Sequence, residues 1–201
     1  MRVPRRFCLA VAVAAVLVVA GCSSSGSTAG DGRVSDPTHL RLVKEANLDP
    51  CPVSSATRVP DGLPDVTLSC LGNGPAVHLA GLAGTPTVIN VWGSWCIPCQ
   101  RETAALSTVY NSLRPKVRFL GVDTADDANS ALDFGTHVTP PVRYPSVVDP
   151  DKKVLLGLAH SPGPPETAFV NAAGVVVHVH VGPYDDAAAV RADIAKYLHV
   201  Q

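Results

Sequence analysis

Two cysteines three positions apart, Cys96 and Cys99, are the residues of this sequence best suited to chemistry. They follow an apolar, β-branched run at 87–92 and open a segment whose apolar residues recur at helical spacing. On a helix this separation puts both sulfurs on one face, close enough to form a disulfide. Free backbone N–H groups and the dipole at a helix start favour a thiolate, the species that attacks disulfides. The motif indicates thiol–disulfide exchange, with Cys96 attacking and the more shielded Cys99 resolving.

A Cys-x-x-Cys pair is also half of many zinc sites. The sequence has no second Cys-x-x-Cys motif, and the best completion is His178 with His180, which alternate onto one face of a strand. We favour a simpler interpretation, a strand with its valines inward and these two histidines outward. The sequence therefore predicts a redox pair, with no metal and no cofactor.

The first residues predict export. An apolar run over 7–20 is too short to span a bilayer comfortably and is typical of a signal peptide. Three basic residues precede it: Arg2, Arg5 and Arg6. We expect a signal peptide over 1–21.

The end of that apolar run predicts a lipid anchor. Small residues lead to Cys22, and a Ser/Gly-rich segment follows it. This pattern resembles a bacterial lipobox, in which the cysteine sulfur carries the lipid. An ordinary signal peptide with an accidental cysteine is the alternative, and the protein would then be secreted or periplasmic. We expect lipidation at Cys22, a flexible tether over 22–35 and a protein anchored at the extracytoplasmic face of the cell membrane.

The other cysteines fit this compartment. Of the six, Cys8 would leave with the signal peptide and Cys22 would carry lipid, so four remain. An even count in an exported protein favours disulfides. We expect Cys51 and Cys70 to form a structural disulfide that pins an N-terminal loop. A relay of electrons to the Cys96 pair is the alternative.

Composition adds mainly exclusions. The 201 residues are 46% hydrophobic, enough for one substantial core, and the net charge is −1. The sequence has no basic patch that would indicate nucleic-acid binding.

Strands and helices alternate along the chain. A short helix is predicted from an Asp36 N-cap, followed by a proline-rich loop at 49–65 and short strands at 66–68 and 77–79. The segment 87–122 is predicted to be a βαβ unit with parallel strands. Helices near 126–135 and 151–160 flank a short strand at 146–148. A hairpin over 166–181 and a helix over 185–198 close the chain.

Over residues 76–182 the chain resembles the TlpA/ResA-like branch of the thioredoxin superfamily. Three stretches carry the likeness: Trp92-Gly93-Ser94-Trp95-Cys96-Ile97-Pro98-Cys99 within 88–102, Gly163-Pro164-Pro165-Glu166-Thr167 within 163–170, and Tyr144-Pro145-Ser146 within 144–150. The resemblance implies an α/β thioredoxin fold, a central mixed sheet flanked by helices, with an inserted helical segment. We expect an N-terminal extension over 36–75 and the thioredoxin-like domain over 76–201.

The resemblance also assigns residues. Pro165 matches a cis-proline that faces the cysteine pair and limits access to it. Asn90 stands where cytosolic thioredoxins have a buried aspartate. Glu102 matches an acid near the active site, which could take a proton from Cys99 and whose charge would raise the thiol pKa. A solvated acid in the first turn of the helix is the alternative for Glu102.

Five further residues are expected to line the active site: Trp92, Trp95, Pro98, Pro164 and Glu166. Two of them depart from the family pattern. Pro164 has no N–H where the family usually pairs with substrate backbone, and Glu166 replaces a small or hydroxylated residue. Both departures concern the substrate rather than the exchange chemistry.

The resemblance implies exchange of disulfides with exported proteins. It favours reduction, for example of apocytochrome c in cytochrome c biogenesis, supplied by a membrane electron donor. An oxidant or isomerase in the folding of secreted proteins, working with a membrane electron acceptor, is the alternative. A non-catalytic binding lipoprotein and a Cys/His metal carrier are further alternatives.

Overall fold

The computed structural model describes residues 36–200. The predicted signal peptide, the predicted lipidation site Cys22 and the predicted tether lie outside these residues. Among the helices of 36–200, none has both the length and the apolar character needed to cross a membrane.

A mixed sheet of seven strands forms the centre of the described chain. The strands are β1 (Thr67–Cys70), β2 (Val77–His78), β3 (Thr87–Trp92), β4 (Arg118–Thr124), β5 (Ser146–Asp149), β6 (Glu166–Val170) and β7 (Val176–Val181). Their order across the sheet is β2-β1-β5-β4-β3-β6-β7. The neighbours β3–β4 and β4–β5 are parallel, and the others are antiparallel. The predicted thioredoxin-like mixed sheet is confirmed.

Helices cover this sheet. They are α1 (Pro37–Ala46), α2 (Ile97–Leu113), α3 (Ala128–His137), α4 (Lys153–Leu158) and α5 (Ala187–Asp193). The predicted Asp36 cap is confirmed, since its carboxylate accepts the Thr38 N–H at 3.0 Å. The last predicted helix begins as α5 and continues as a π-helical turn over Ile194–Leu198.

β3 is buried on both faces, which explains its continuous apolar sequence. Val88 and Trp92 belong to the core cluster packed against α2 and α3. Ile89 and Val91 belong to the second cluster, which contains the buried apolar residues of α4. β3 is therefore held from both sides, and its end presents the Cys96 motif in a fixed position.

The alternation along β7 is only partly as predicted. The His178 ring stacks on Tyr197 with 3.9 Å between ring centroids, and the His180 ring stacks on Tyr184 at 4.1 Å. Val177 and Val181 are exposed instead. The predicted inward valine is observed at Val179, which packs against the second core cluster. The imidazoles are not simply outward, because Tyr184 and Tyr197 supply flat surfaces on which they pack.

The segment before β2 is tied to the sheet edge. Cys51 and Cys70 form a disulfide, and the Cys51 N–H donates to the Asn73 carbonyl at 2.9 Å. Gly74 has φ +127°, and a Cβ there would lie 2.7 Å from the Cys51 nitrogen, so this turn requires glycine. β1 lies before residue 75 and β2 after it, and the two strands pair. The domain boundary at 75 stays a prediction.

Replacing both Cys51 and Cys70 with serine should lower the free energy of unfolding by about 3 kcal/mol, because the disulfide closes a ring of roughly 20 residues in the unfolded chain. Denaturant titration of the oxidised protein, with Cys96 and Cys99 intact, measures this loss. A structural role predicts an unchanged exchange rate in the folded variant. A large fall in that rate would support the relay instead.

Candidate active site

Cys96 is the N-cap of α2. Its backbone is extended, and its sulfur accepts the Cys99 N–H at 3.2 Å. Its carbonyl accepts the Gln100 N–H at 3.0 Å, which starts the helix. The two cysteines form a disulfide, and Pro98 occupies the first turn, where a missing N–H removes no helical bond. The arrangement puts the Cys96 sulfur where the helix start favours negative charge.

The loop before Cys96 is anchored from β4 and the segment after it. The Asp126 carboxylate accepts hydrogen bonds from the N–H and the hydroxyl of Ser94. The Trp95 indole N–H donates to the Thr124 carbonyl at 3.2 Å. A Cβ on Gly93 would lie 2.6 Å from the Trp95 indole nitrogen, so glycine is needed beneath this ring. The sequence placed Asp126 or Asp127 at the start of α3; Asp127 is the N-cap, and the contact of Asp126 with Ser94 was not predicted.

The surface beside Cys96 is apolar and open. Trp95 is 50% exposed and Ile97 is 62% exposed, whereas Cys96 is 4% exposed and Cys99 only 1%. The disulfide therefore lies in a shallow recess with exposed apolar side chains at its edge. Such a rim can bury apolar surface of a partner, while only a small part of the Cys96 sulfur is reachable.

Pro164 and Pro165 face the disulfide. The peptide bond between them is cis, and the Pro164 carbonyl oxygen lies 3.5 Å from the Cys96 sulfur. Pro165 is buried, and its carbonyl accepts the Gly182 N–H at 3.0 Å. Pro164 is only partly buried; its carbonyl oxygen faces the Cys96 sulfur, and it has no N–H to donate to a partner.

Glu102 lies on α2 and is fully buried, which excludes the solvated alternative. One carboxylate oxygen accepts the Asn90 amide at 2.8 Å, and the other accepts the Tyr184 backbone N–H at 3.1 Å. Asn90 also donates to the Thr167 hydroxyl at 3.1 Å. Burial raises the pKa of Glu102 to about 7, although both hydrogen bonds act to lower it. One helical turn after Cys99, this carboxyl can gain or lose a proton near neutral pH.

Two predicted lining residues lie elsewhere. Trp92 is buried in the core, 5.9 Å from Phe134 between ring centroids, and therefore lies beneath the site rather than on its surface. Glu166 is fully buried and adjoins Thr167 on β6, so the two side chains point to opposite faces of the sheet. Burial raises the pKa of Glu166, and the charge of His160 opposes this increase. Glu166 and Glu102 thus belong to different layers.

The Cys51–Cys70 disulfide lies at a distance from this site. Cys70 pairs with Val147, Val147 with Val122, and Val122 with Val91 on β3. Three strand spacings, about 14 Å, separate Cys70 from β3, the strand that leads to Cys96, and this is much longer than the contact that disulfide exchange needs. The described geometry thus favours a structural role over a relay.

Within residues 36–200, no group of three or more His, Cys, Asp and Glu side chains is arranged to hold a metal ion. His178 and His180 are each stacked on a tyrosine, as described above. Both imidazole rings are therefore packed against tyrosine side chains.

A thioredoxin fold with a Cys-x-x-Cys disulfide at a helix start and a cis-proline facing it defines a class of redox proteins. The sequence model of the Redoxin family matches residues 58–197, so this chain belongs to that family. The predicted TlpA/ResA-like relationship is confirmed by relatives named thiol-disulfide oxidoreductase or thiol:disulfide interchange protein.

Two relatives and one solved structure illustrate the relationship. Thiol:disulfide interchange protein DsbE of Pseudomonas fluorescens biotype C is 35% identical over 57% of this chain and 65% of its own. Thiol-disulfide oxidoreductase ResA of Bacillus subtilis is 31% identical over 55% of this chain and 60% of its own. The chain thus spans less than two thirds of either relative. The structure of MTB dsbF, in mixed oxidised and reduced forms, has 27% identity and a TM-score of 0.60, covering 69% of this chain and 98% of dsbF.

The buried Glu102 should make stability depend on pH. Its pKa is about 7 in the folded protein and 4.5 when exposed, so the unfolded chain releases this proton first as pH rises. The folded state then binds more protons, and the Glu102 contribution to stability falls between those two values, by an amount on the order of 3 kcal/mol.

In Glu102→Gln this contribution is absent, and the variant should lose less stability than wild type between pH 4.5 and about 8. Chemical denaturation at a series of pH values measures the difference. Parallel stability curves for the two proteins would contradict the assignment.

Proposed function

We propose that this chain is an extracytoplasmic thiol–disulfide oxidoreductase that exchanges disulfides with exported proteins through Cys96 and Cys99. One observation carries the proposal: the Cys96 sulfur caps α2 directly opposite the cis Pro164–Pro165 bond. The named relatives share this chemistry and support it.

In the reducing direction, the Cys96 thiolate attacks one sulfur of a substrate disulfide. The substrate disulfide breaks, its other sulfur leaves as a thiolate, and a mixed disulfide joins Cys96 to the substrate. Cys99 then loses its proton and attacks the Cys96 sulfur, which releases the second substrate thiolate. The substrate gains two electrons, and the Cys96–Cys99 disulfide forms.

In this proposal Glu102 exchanges a proton with Cys99. Its ionised form can accept that proton as Cys99 attacks, and its protonated form can return it when the disulfide is reduced again. A pKa of about 7 leaves both forms available near neutral pH.

Reduction is the direction we favour, with apocytochrome c as an example of a substrate and a membrane protein as the electron donor. The resemblance to the TlpA/ResA-like branch supports this direction. Oxidation or isomerisation during folding of secreted proteins is the second candidate. The apolar rim of Trp95 and Ile97 suits either, since both kinds of substrate offer unfolded chain.

The proposed location is the outer face of the cell membrane, held by lipid on Cys22. Metabolic labelling with a fatty acid should mark the wild-type chain and leave Cys22→Ala unlabelled. Equal labelling of both would contradict the anchor.

The exchange activity is tested by trapping substrates with Cys99→Ser in the native host. Without the resolving thiol, the mixed disulfide on Cys96 should persist and appear as higher-mass species under non-reducing conditions. Cys96→Ser is the matched control and should form none. Identical patterns for the two variants would contradict an exchange enzyme and favour a binding lipoprotein.

Equilibrium with glutathione then decides the direction. A reduction potential near that of thioredoxin, about −270 mV, indicates a reductant. A potential near about −120 mV indicates an oxidant and would contradict the favoured direction.

A further inference from the structure

One of the two hydrogen bonds to the Glu102 carboxylate comes from a segment without regular structure. Tyr184 follows β7 and precedes α5, and its N–H lies 3.1 Å from the carboxylate oxygen. Gly182 in the same segment has φ +97°. Because no strand or helix ladder fixes the Tyr184 N–H, its position depends on other contacts.

The Tyr184 side chain supplies those contacts. Its hydroxyl donates to the Asp193 carboxylate on α5 at 2.7 Å. Its ring stacks on His180 of β7, with planes 16° apart. The Asp193 carboxylate also lies 3.6 Å from the His180 imidazole. Tyr184 is buried, so a strand and a helix hold it from two sides.

We propose that Tyr184 is a positioning residue for the exchange reaction: its side chain fixes the backbone N–H that binds Glu102 and thereby controls proton transfer between Glu102 and Cys99. This inference rests on the proposed function. An N–H donor binds a carboxylate more strongly than a neutral carboxyl group, so it favours the form of Glu102 that accepts a proton.

The other groups around Glu102 do not titrate near neutral pH and so do not take over this role. Asn90 on β3 donates the second bond and does not titrate. Tyr144 is fully buried, and burial together with the charge of Glu102 raises the pKa of its hydroxyl. The pKa of Tyr184 is raised by burial and by its bond to Asp193. Both phenols therefore keep their protons near neutral pH, and Glu102 titrates there beside Cys99.

The chain offers a matched control in Tyr197. Its ring stacks on His178 of the same strand with planes 14° apart, as the Tyr184 ring stacks on His180. Its other ring contacts are Phe169 and Lys196. Tyr184→Phe and Tyr197→Phe each remove one hydroxyl from a stacked pair, and only the first loosens the segment at Glu102.

The experiment follows the Glu102 carboxyl by carbon-13 NMR in the reduced protein, together with the rate at which that protein reduces glutathione disulfide across pH. Tyr184→Phe should raise the pKa of Glu102 by roughly 0.5 to 1, because a hydrogen bond that favours its ionised form is weakened. The rate should fall about two- to fivefold near pH 7 and return to the wild-type value near pH 9. Tyr197→Phe should match wild type in both measurements.

Asp193→Asn provides a second variant, because it weakens the acceptor of the Tyr184 hydroxyl bond. It should shift the Glu102 titration in the same direction. Wild-type titration in both Tyr184→Phe and Asp193→Asn would overturn the inference, as would an equal shift in Tyr197→Phe. An inactive wild-type protein would instead contradict the proposed function, and the NMR titration would still test the position of Tyr184.

Discussion

The hydrogen bond from the Cys99 N–H to the Cys96 sulfur ties the reactive atom to the first turn of α2. A helix start stabilises negative charge only if the charged atom stays close to the free N–H groups. Much of the surrounding structure serves this requirement. β3 is buried on both faces and holds the chain leading to Cys96, and Asp126 anchors Ser94 just before it.

Glu102 and Glu166 lie on opposite sides of the sheet. Glu102, Asn90 and Thr167 share the layer beneath α2, where the carboxyl has two donors and can change protonation near neutral pH. Glu166 points to the opposite face, although it directly follows Pro165. Two buried carboxyl groups in a single layer would repel each other when ionised and raise each other's pKa. Their placement on opposite faces of the sheet lets each titrate in its own environment.

The partner-facing surface is built differently. Trp95 and Ile97 are exposed beside a nearly covered sulfur, and Pro164 has no N–H to donate to a partner. Apolar contact is not directional, so a surface of this kind can accept varied unfolded segments. In the proposed exchange with exported proteins, specificity would depend more on the fit of a partner around Pro164 than on paired backbone hydrogen bonds.

Local sequence patterns predict much of this structure. The continuous apolar run of β3, the helical spacing of α2 and the N-cap position of Cys96 are properties of neighbouring residues, and all three are observed. The two cysteine pairings followed from their even number and their spacing.

The parts that sequence reasoning missed depend on distant residues. Ser94 and Asp126 are 32 positions apart, and Glu102 and Tyr184 are 82 apart. The alternation of β7 showed that histidines and valines face opposite ways, but not that Tyr184 and Tyr197 cover the histidine face. These contacts between distant residues follow from the folded topology and not from local sequence patterns.

The central claim, that Cys96 is the attacking thiol and Cys99 the shielded one, is tested most directly by limited alkylation of the reduced wild-type protein. Iodoacetamide is added, the reaction is stopped in samples taken at increasing times, and the modified peptides are mapped by mass spectrometry. This gives a separate alkylation rate for each cysteine. We predict that Cys96 is modified first and that Cys99 stays protected until the protein unfolds. Modification of Cys99 at an equal or higher rate would contradict the account.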